Sequence, residues 1–264
     1  MPPLVLASTT SHKLEPPLPT LEVLSKLGLT DVDLNLHHML EGGVPVEFVL
    51  DAIRTFGLRI RVVSGGWCDF FHRAPQIDDT YRSVARQVEV GRRLDAAMLR
   101  LFFGRLALED CTPASVTLVC DNLRRLSDSH PGMTFVFENH DGASRRPEIC
   151  ADILTKTNRQ NVRMNFDAIN FERDGVPHMA AFEILRPFIG HLHLKGLAGG
   201  QFAEFGVGDV DLTPLLRALA SQEYRGAMTV EYEGPHDGTL RLYRSVQRAR
   251  SAVDAVFRAA PSAE

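Results

Sequence analysis

Eight short apolar runs recur along the chain about every 30 residues, each followed by a longer segment with apolar side chains three and four apart. The runs are PLVLAS (3–8), DVDLNL (31–36), LRIRVVS (58–64) and AAMLRLFFG (96–104), then MTFVFENH (133–140), VRMNFDAI (162–169), HLHLKG (191–196) and AMTVEYEG (227–234). The segments between them, such as TLEVLSKLGL, VEFVLDAIRTFG and SVTLVCDNLRRLSD, carry helical spacing. Thr112-Pro113 and Thr213-Pro214 read as N-caps followed by proline at the first helical position, and Gly28 and Gly57 fall where helices end. Alternation of this kind over 264 residues predicts an α/β chain folded as a single (β/α)8 TIM barrel over 1–258, with a short tail over 259–264. An open doubly wound sheet fits less well. The first turn lacks a G-x-G-x-x-G fingerprint, and the one G-x-G, at Gly206 and Gly208, precedes no strand-to-helix crossing.

Charge narrows the partners. With 29 basic and 33 acidic residues the formal net charge is −4, and basic residues cluster only at Arg241, Arg244, Arg248 and Arg250, read as a solvated helix face. A nucleic-acid partner is not expected. Cys68, Cys111, Cys120 and Cys150 have no metal-site spacing and read as reduced thiols. No signal peptide and no long apolar span is visible, so the expectation is a cytoplasmic protein without a membrane partner.

In a barrel of this type chemistry is built where the strands end. The fifth run ends in Glu138-Asn139-His140, the sixth in Asp167 with Asn170 following, the seventh in His193 and Lys195, and the eighth in Glu231 and Glu233. Residues two apart in a strand share a face, so Glu138 and His140 point together, as do His191, His193 and Lys195. Three converging carboxylates repel one another unless a cation joins them. Glu138, Asp167, His193 and Glu231 are therefore the expected ligands of one divalent metal ion. Three oxygens and one imidazole suit Mn²⁺ best, with Mg²⁺ or Co²⁺ also accommodated and Zn²⁺ less favoured. His191, deeper in its strand, is either a hydrogen-bonded core residue or a substrate contact. His37 and His38 either support the ligands or belong to a loop. Trp67, with Phe70 and Phe71, either walls the pocket against a sugar face or packs the rim.

FVFENHDG, NFDAIN, HLHLKG, the Arg-bearing run DAAMLRLFFG and the stretch EFGVGDVDLTPLLRALASQEYRGAMTVEYEG resemble the xylose isomerase-like TIM barrels, the sugar phosphate isomerase/epimerase superfamily. The resemblance spans nearly the whole chain. It implies the barrel, a single divalent metal and the same four ligands. It further implies that Glu138 and Glu231 are the acid/base pair and that Asn170 stands where many relatives bind substrate with a histidine. Such relatives are commonly dimers or tetramers, which leaves room for a homo-oligomer. Ketose 3-epimerases carry a second glutamate and an arginine where this chain has Ser144 and Gly199, which argues against a simple free-ketose 3-epimerase. The endonuclease IV branch needs further histidines, including one where Asn170 stands, and the loop GLAGGQFAEFGVGDV has none.

The expected reaction is isomerisation or epimerisation of a keto sugar or keto polyol, phosphorylated or glycosidic substrates included, through a metal-stabilised enediolate. Lys195 or His140 would donate to the developing oxyanion. A lyase or dehydratase acting on a keto-cyclitol or 3-keto sugar would use the same intermediate. A non-catalytic metal-binding partner subunit is the alternative of another class. The glycines of GLAGG are either backbone donors to a phosphate or a flexible loop.

Overall fold

The computed structural model describes residues 2–234 and 238–259. Its barrel strands are β1 (Leu4–Ser8), β2 (Asp31–Asn35), β3 (Arg59–Ser64), β4 (Met98–Phe102), β5 (Thr134–Glu138), β6 (Val162–Asp167) and β7 (Ile189–Leu194). A hairpin, β8 (Gly196–Ala198) and β9 (Gln201–Ala203), precedes the last barrel strand, β10 (Ala227–Val230). The helices are α1 (Pro17–Lys26), α2 (His37–Leu40), α3 (Val46–Phe56), α4 (Gln76–Arg93) and α5 (Pro113–Ser129). They continue with α6 (Pro147–Thr157), α7 (Ala168–Arg173), α8 (His178–Leu185), α9 (Thr213–Ser221) and α10 (Gly238–Ala259). The barrel closes in the order β1, β10, β7, β6, β5, β4, β3, β2, with every neighbouring pair parallel.

The chain is thus the expected closed α/β barrel, and α10 runs to Ala259, the first residue of the expected tail. Positions 260–264 of that tail lie outside the described residues. No described helix is long and apolar enough to cross a membrane. The strands stop short of several expected ends. β5 ends at Glu138 and β10 at Val230, so His140, Glu231 and Glu233 stand in the turns beyond the ladder. The cause is the fold itself, because each chain must leave the sheet there to enter the following helix.

Apolar side chains fill the layer between strands and helices. Phe103 and Phe137 stack with centroids 4.9 Å apart, and Phe70 meets Phe137 edge-on at 5.7 Å. Each is wholly buried, a contribution of roughly 1.5–3 kcal/mol apiece. Inside the barrel the upper half is polar instead: Asp33, Ser64, Arg100, Asn165, His191 and Thr229 are all buried.

Helix punctuation is partly as expected. Thr112 and Ser115 form a reciprocal capping box, while Gly28 (φ 71°) and Gly57 (φ 63°) adopt the left-handed conformation at helix ends. Thr213 differs, because it lies inside α9 and its own amide donates to Asp211 Oδ1 at 2.8 Å. The glycine run forms a tight hairpin turn. Gly199 and Gly200, at φ 55° and 77°, make the turn between β8 and β9, and the Gly199 amide donates to Asp209 Oδ2 at 2.8 Å, placing a carboxylate where an anion would sit.

The arginines of α10 do more than face solvent. Arg241, Arg244 and Arg248 converge on buried Glu204 at 3.6, 3.4 and 2.7 Å, tying the segment after β9 to the last helix. Arg250 donates to the Leu27 carbonyl at 3.0 Å. Cys68, Cys120 and Cys150 are buried free thiols, and burial pushes the Cys68 thiol up to about 12.

At the opposite end of the barrel, buried Asp31 accepts from Arg59 Nε at 3.0 Å and Nη2 at 2.9 Å, and from Arg61 Nε at 2.6 Å. Burial alone would raise its pKa, but Arg59, Thr30 and Arg61 hold it down to about 2. A folded pKa below the unfolded one contributes stability above pH ~4 that is lost as pH falls toward 2. Asp31→Asn is expected to cost about 1 kcal/mol at pH 7, the exposed guanidiniums being screened by solvent. Urea melts should show the gap from wild type narrowing between pH 4 and 3.

Candidate metal centre

The local fold aims each expected ligand at one point. Asp167 closes β6 and caps α7: its Oδ1 accepts from the Ile169 and Asn170 amides, both at 3.0 Å, leaving Oδ2 for the barrel axis. Asn139 ties β5 to β6 by donating to the Asp167 carbonyl and accepting from its amide, each at 2.9 Å. Asn170 Nδ2 donates to Glu138 Oε1 at 3.1 Å. His193 pairs with Asp167 on one side and Thr229 on the other, and Glu231 follows β10 directly.

Glu138, Asp167, His193 and Glu231 each offer a donor atom, and all four lie within 4.8 Å of one another. His193 Nδ1 is 3.0 Å from Glu231 Oε2, 3.5 Å from Glu138 Oε1 and 3.9 Å from Asp167 Oδ2. All four residues are buried, yet neither ring nitrogen of His193 makes a hydrogen bond. Asp167 Oδ2 receives no well-directed hydrogen bond either, although the Lys195 ammonium lies 2.8 Å away. Buried polar atoms seldom go without partners, so an inward set of three carboxylates and one imidazole fits a hard or borderline divalent cation.

Burial disfavours charge at every one of these groups, and their neighbours decide the outcome. Against burial, Glu231 and Glu138 hold the pKa of His193 well above its ordinary value. His193 in turn holds Glu138 down to about 2, and with Lys195 keeps Glu231 well below the usual range. At Asp167 burial prevails and the pKa rises despite Lys195. Lys195 is held well above its ordinary value by Asp167 and Glu233 against the effect of burial. The metal-free centre is thus carboxylate-rich, with a proton on His193 at the focus of the donors.

The remaining expected residues divide by position. His140 and Trp67 line a pocket of about 510 Å³ that reaches Glu138 and Glu231. Trp67, 43% exposed, lies 4.6 Å from the Phe102 ring and edge-on to His140 at 5.8 Å, with the Arg105 guanidinium 3.7 Å from its centroid. Phe70 and Phe71 are core residues. Lys195 is buried between Asp167, Glu231 and Glu233 and under the Phe202 ring, 4.3 Å from its centroid. Asn170 stands behind Glu138 and not on the pocket wall, held also by the Asn139 carbonyl at 2.9 Å.

His191 lies below the donors, its Nε2 at 2.9 Å from Thr229 Oγ1, and burial lowers its pKa to about 3, so the ring is neutral. His38 is buried and fixed by the Glu15 carbonyl and Thr9 Oγ1 at 3.0 and 3.1 Å, whereas His37 reaches the pocket and pairs with Glu41 at 2.7 Å. Ser144 is a structural residue that receives the His140 amide at 3.1 Å, and Gly199 sits in its hairpin turn.

Residues 21–256 match the model of the xylose isomerase-like TIM barrel family. The chain belongs to that family. Solved structures of the same architecture include the probable 3-DHS dehydratase AsbF involved in petrobactin synthesis in Bacillus anthracis, at 15% identity and a TM-score of 0.78, covering 94% of this chain and 98% of that one. The 3-keto-D-glucoside 4-epimerase YcjR of E. coli aligns at 16% identity and 0.76, over 94% and 99%. The IOLI protein, solved with a zinc atom, aligns at 18% and 0.76 over 100% of both chains. No curated protein matches the chain by sequence. Identities this low speak for the barrel alone.

The sequence assigned no role to several residues of the site, although it marked the run that carries Arg100. Arg100 enters the barrel from β4, buried, with Nε 3.4 Å from Glu138 Oε2 and its guanidinium 4.5 Å from the Phe102 centroid. Its signal was a charge inside an otherwise apolar run. Asp33 and Asn35 alternate in DVDLN as His191 and His193 do in HLHL, and that spacing was the available sign that β2 also lines the centre.

Proposed function

We propose that this protein is a divalent-metal-dependent isomerase or epimerase of a keto sugar or keto polyol, acting by proton transfer next to a carbonyl. The observation that carries the reading is the pair Glu138 and Glu231, both reaching one pocket and both among the four converging donors. Glu138, Asp167, His193 and Glu231 would hold Mn²⁺ or Mg²⁺, whose Lewis acidity renders a carbon beside a carbonyl acidic. His193, Arg100 and Lys195 keep the two glutamates ionised, so each has a lone pair free of a proton and could accept one from carbon. Lys195 supplies a buried positive charge next to Glu231, suited to an oxyanion developing nearby. Trp67 and Phe102 offer an apolar face at the mouth, and His140 a polar edge beside them.

The same proton removal followed by loss of a β-substituent would make the protein a lyase. Metal-loaded protein incubated in D₂O with candidate keto sugars separates these readings. Deuterium at an α-carbon with a new epimer or isomer supports the proposal, and a conjugated enone or a released leaving group supports elimination. Bound metal with neither result across the substrate class identifies a silent metal-binding subunit.

Trp67→Ala is expected to raise KM about fivefold to tenfold with little change in kcat, because it removes contact area shared by bound substrate and transition state. Steady-state kinetics on the converted substrate check this.

A further inference from the structure

Behind the donors lies a second group of buried polar atoms. Asp33, His191 and His193 bring a carboxylate oxygen and two ring nitrogens within 4.8 Å of one another. Asp33 Oδ1 accepts from Ser64 Oγ at 2.7 Å, while Asp33 Oδ2 has no hydrogen-bond partner. The His193 Nε2 atom, also without a partner, lies 3.8 Å from Asp33 Oδ2. Both residues are at most 1% exposed.

A second metal ion fits this group poorly. His193 would have to serve two ions through one ring, His191 already spends Nε2 on Thr229 Oγ1, and Asp33 spends Oδ1 on Ser64. What the pair lacks is a closed hydrogen bond between Nε2 and Oδ2. An imidazole nitrogen can hold a metal only if it carries no proton, and the opposite nitrogen then carries one that needs an acceptor.

We propose that Asp33 is the positioning carboxylate of His193: it accepts the Nε2 proton, fixes that tautomer, and so presents the Nδ1 lone pair to the metal. The inference rests on the metal reading above and adds Asp33 to it. The 3.8 Å separation exceeds a hydrogen bond by less than about 1 Å, within reach of a small rotation of the ring. Ser64 makes the role directional, because it holds one carboxylate oxygen and leaves only the other for His193.

That directionality yields a test. In Asp33→Asn, Ser64 keeps the amide oxygen and the amide NH₂ faces Nε2, favouring the tautomer with the proton on Nδ1, where the metal should bind. In Asp33→Ala the acceptor is lost and neither tautomer is imposed. Mn²⁺ affinity, measured by titration of the metal-stripped full-length protein, should fall roughly 10-fold in Asp33→Ala and roughly 100-fold in Asp33→Asn. A merely structural role would give the opposite order, since Asn preserves shape and Ala leaves a cavity. Asn binding as tightly as wild type, or more tightly than Ala, overturns the inference while leaving the metal site standing. Failure of wild type to bind Mn²⁺ overturns the metal reading itself.

If the Asn variant does not fold, ¹⁵N-imidazole spectra of Zn²⁺-loaded wild type decide the matter. His193, assigned through His193→Gln, should show a protonated, hydrogen-bonded Nε2 and a metal-bound Nδ1. A proton on Nδ1, or metal at Nε2, is the contrary result.

Discussion

Glu231→Gln, assayed at saturating Mn²⁺, is expected to slow deuterium incorporation from solvent by roughly 10³-fold, the loss typical of a removed general base. Glu231 differs from Glu138 in its neighbours. Glu138 is restrained by Asn170 at 3.1 Å and flanked by Arg100 at 3.4 Å, whereas Glu231 faces His193 at 3.0 Å and Lys195 at 3.4 Å. With the ion bound, Lys195 remains as a cation beside Glu231, and on the proposed reading it would offset charge as a proton leaves carbon. Gln is nearly isosteric and still offers one oxygen, so bound metal measured in parallel separates a lost base from a lost ion. Exchange that persists in Glu231→Gln with metal in place removes Glu231 from the role of base. If Glu138→Gln alone abolishes exchange, the base is Glu138.

The four converging donors were legible because two regularities meet at them. Parallel strands in a closed barrel end at one level, and alternation along each strand sends every second residue inward. Glu138, Asp167 and His193 obey both rules, and Glu231 extends the same alternation one residue past β10. Asp33 and Arg100 were harder because each sits inside its strand, short of the end where the donors gather. A register shift between Val32 and Asp33 further alters how β2 lies against β3. Asn170 and His191 show the limit of placement by spacing. Both are near the donors, yet hydrogen bonds to Glu138 and the Asn139 carbonyl hold Asn170, and one to Thr229 holds His191, beside the centre. No residue pattern reveals which side of a ligand its neighbour will occupy. The clamp of α10 arginines on Glu204 spans some 40 positions of sequence and depends wholly on the closed fold.

Metal binding should be coupled to protons with a sign that the centre dictates. Glu231 and Glu138 raise His193 well above its ordinary pKa, so the metal-free protein keeps a proton there at neutral pH. A raised folded pKa contributes stability below about pH 6.5 that is lost only as pH climbs through the raised value. An ion entering among the same carboxylates must displace that proton. Affinity for Mn²⁺ is therefore expected to rise with pH between pH 6 and 8, with proton release accompanying binding. Calorimetry in buffers of different ionisation enthalpy measures the release directly. At 100 times its dissociation constant the ion should add about 2.7 kcal/mol of stability, a rise of roughly 5–10 °C in Tm for a chain of this size. Binding that is flat across this pH range would mean that the ion does not compete with the His193 proton, and would place it away from the four converging donors. His193→Gln removes both the displaced proton and one donor. Its residual affinity should be weaker and nearly independent of pH over the same range, because Glu138 and Glu231 no longer share a proton with a histidine.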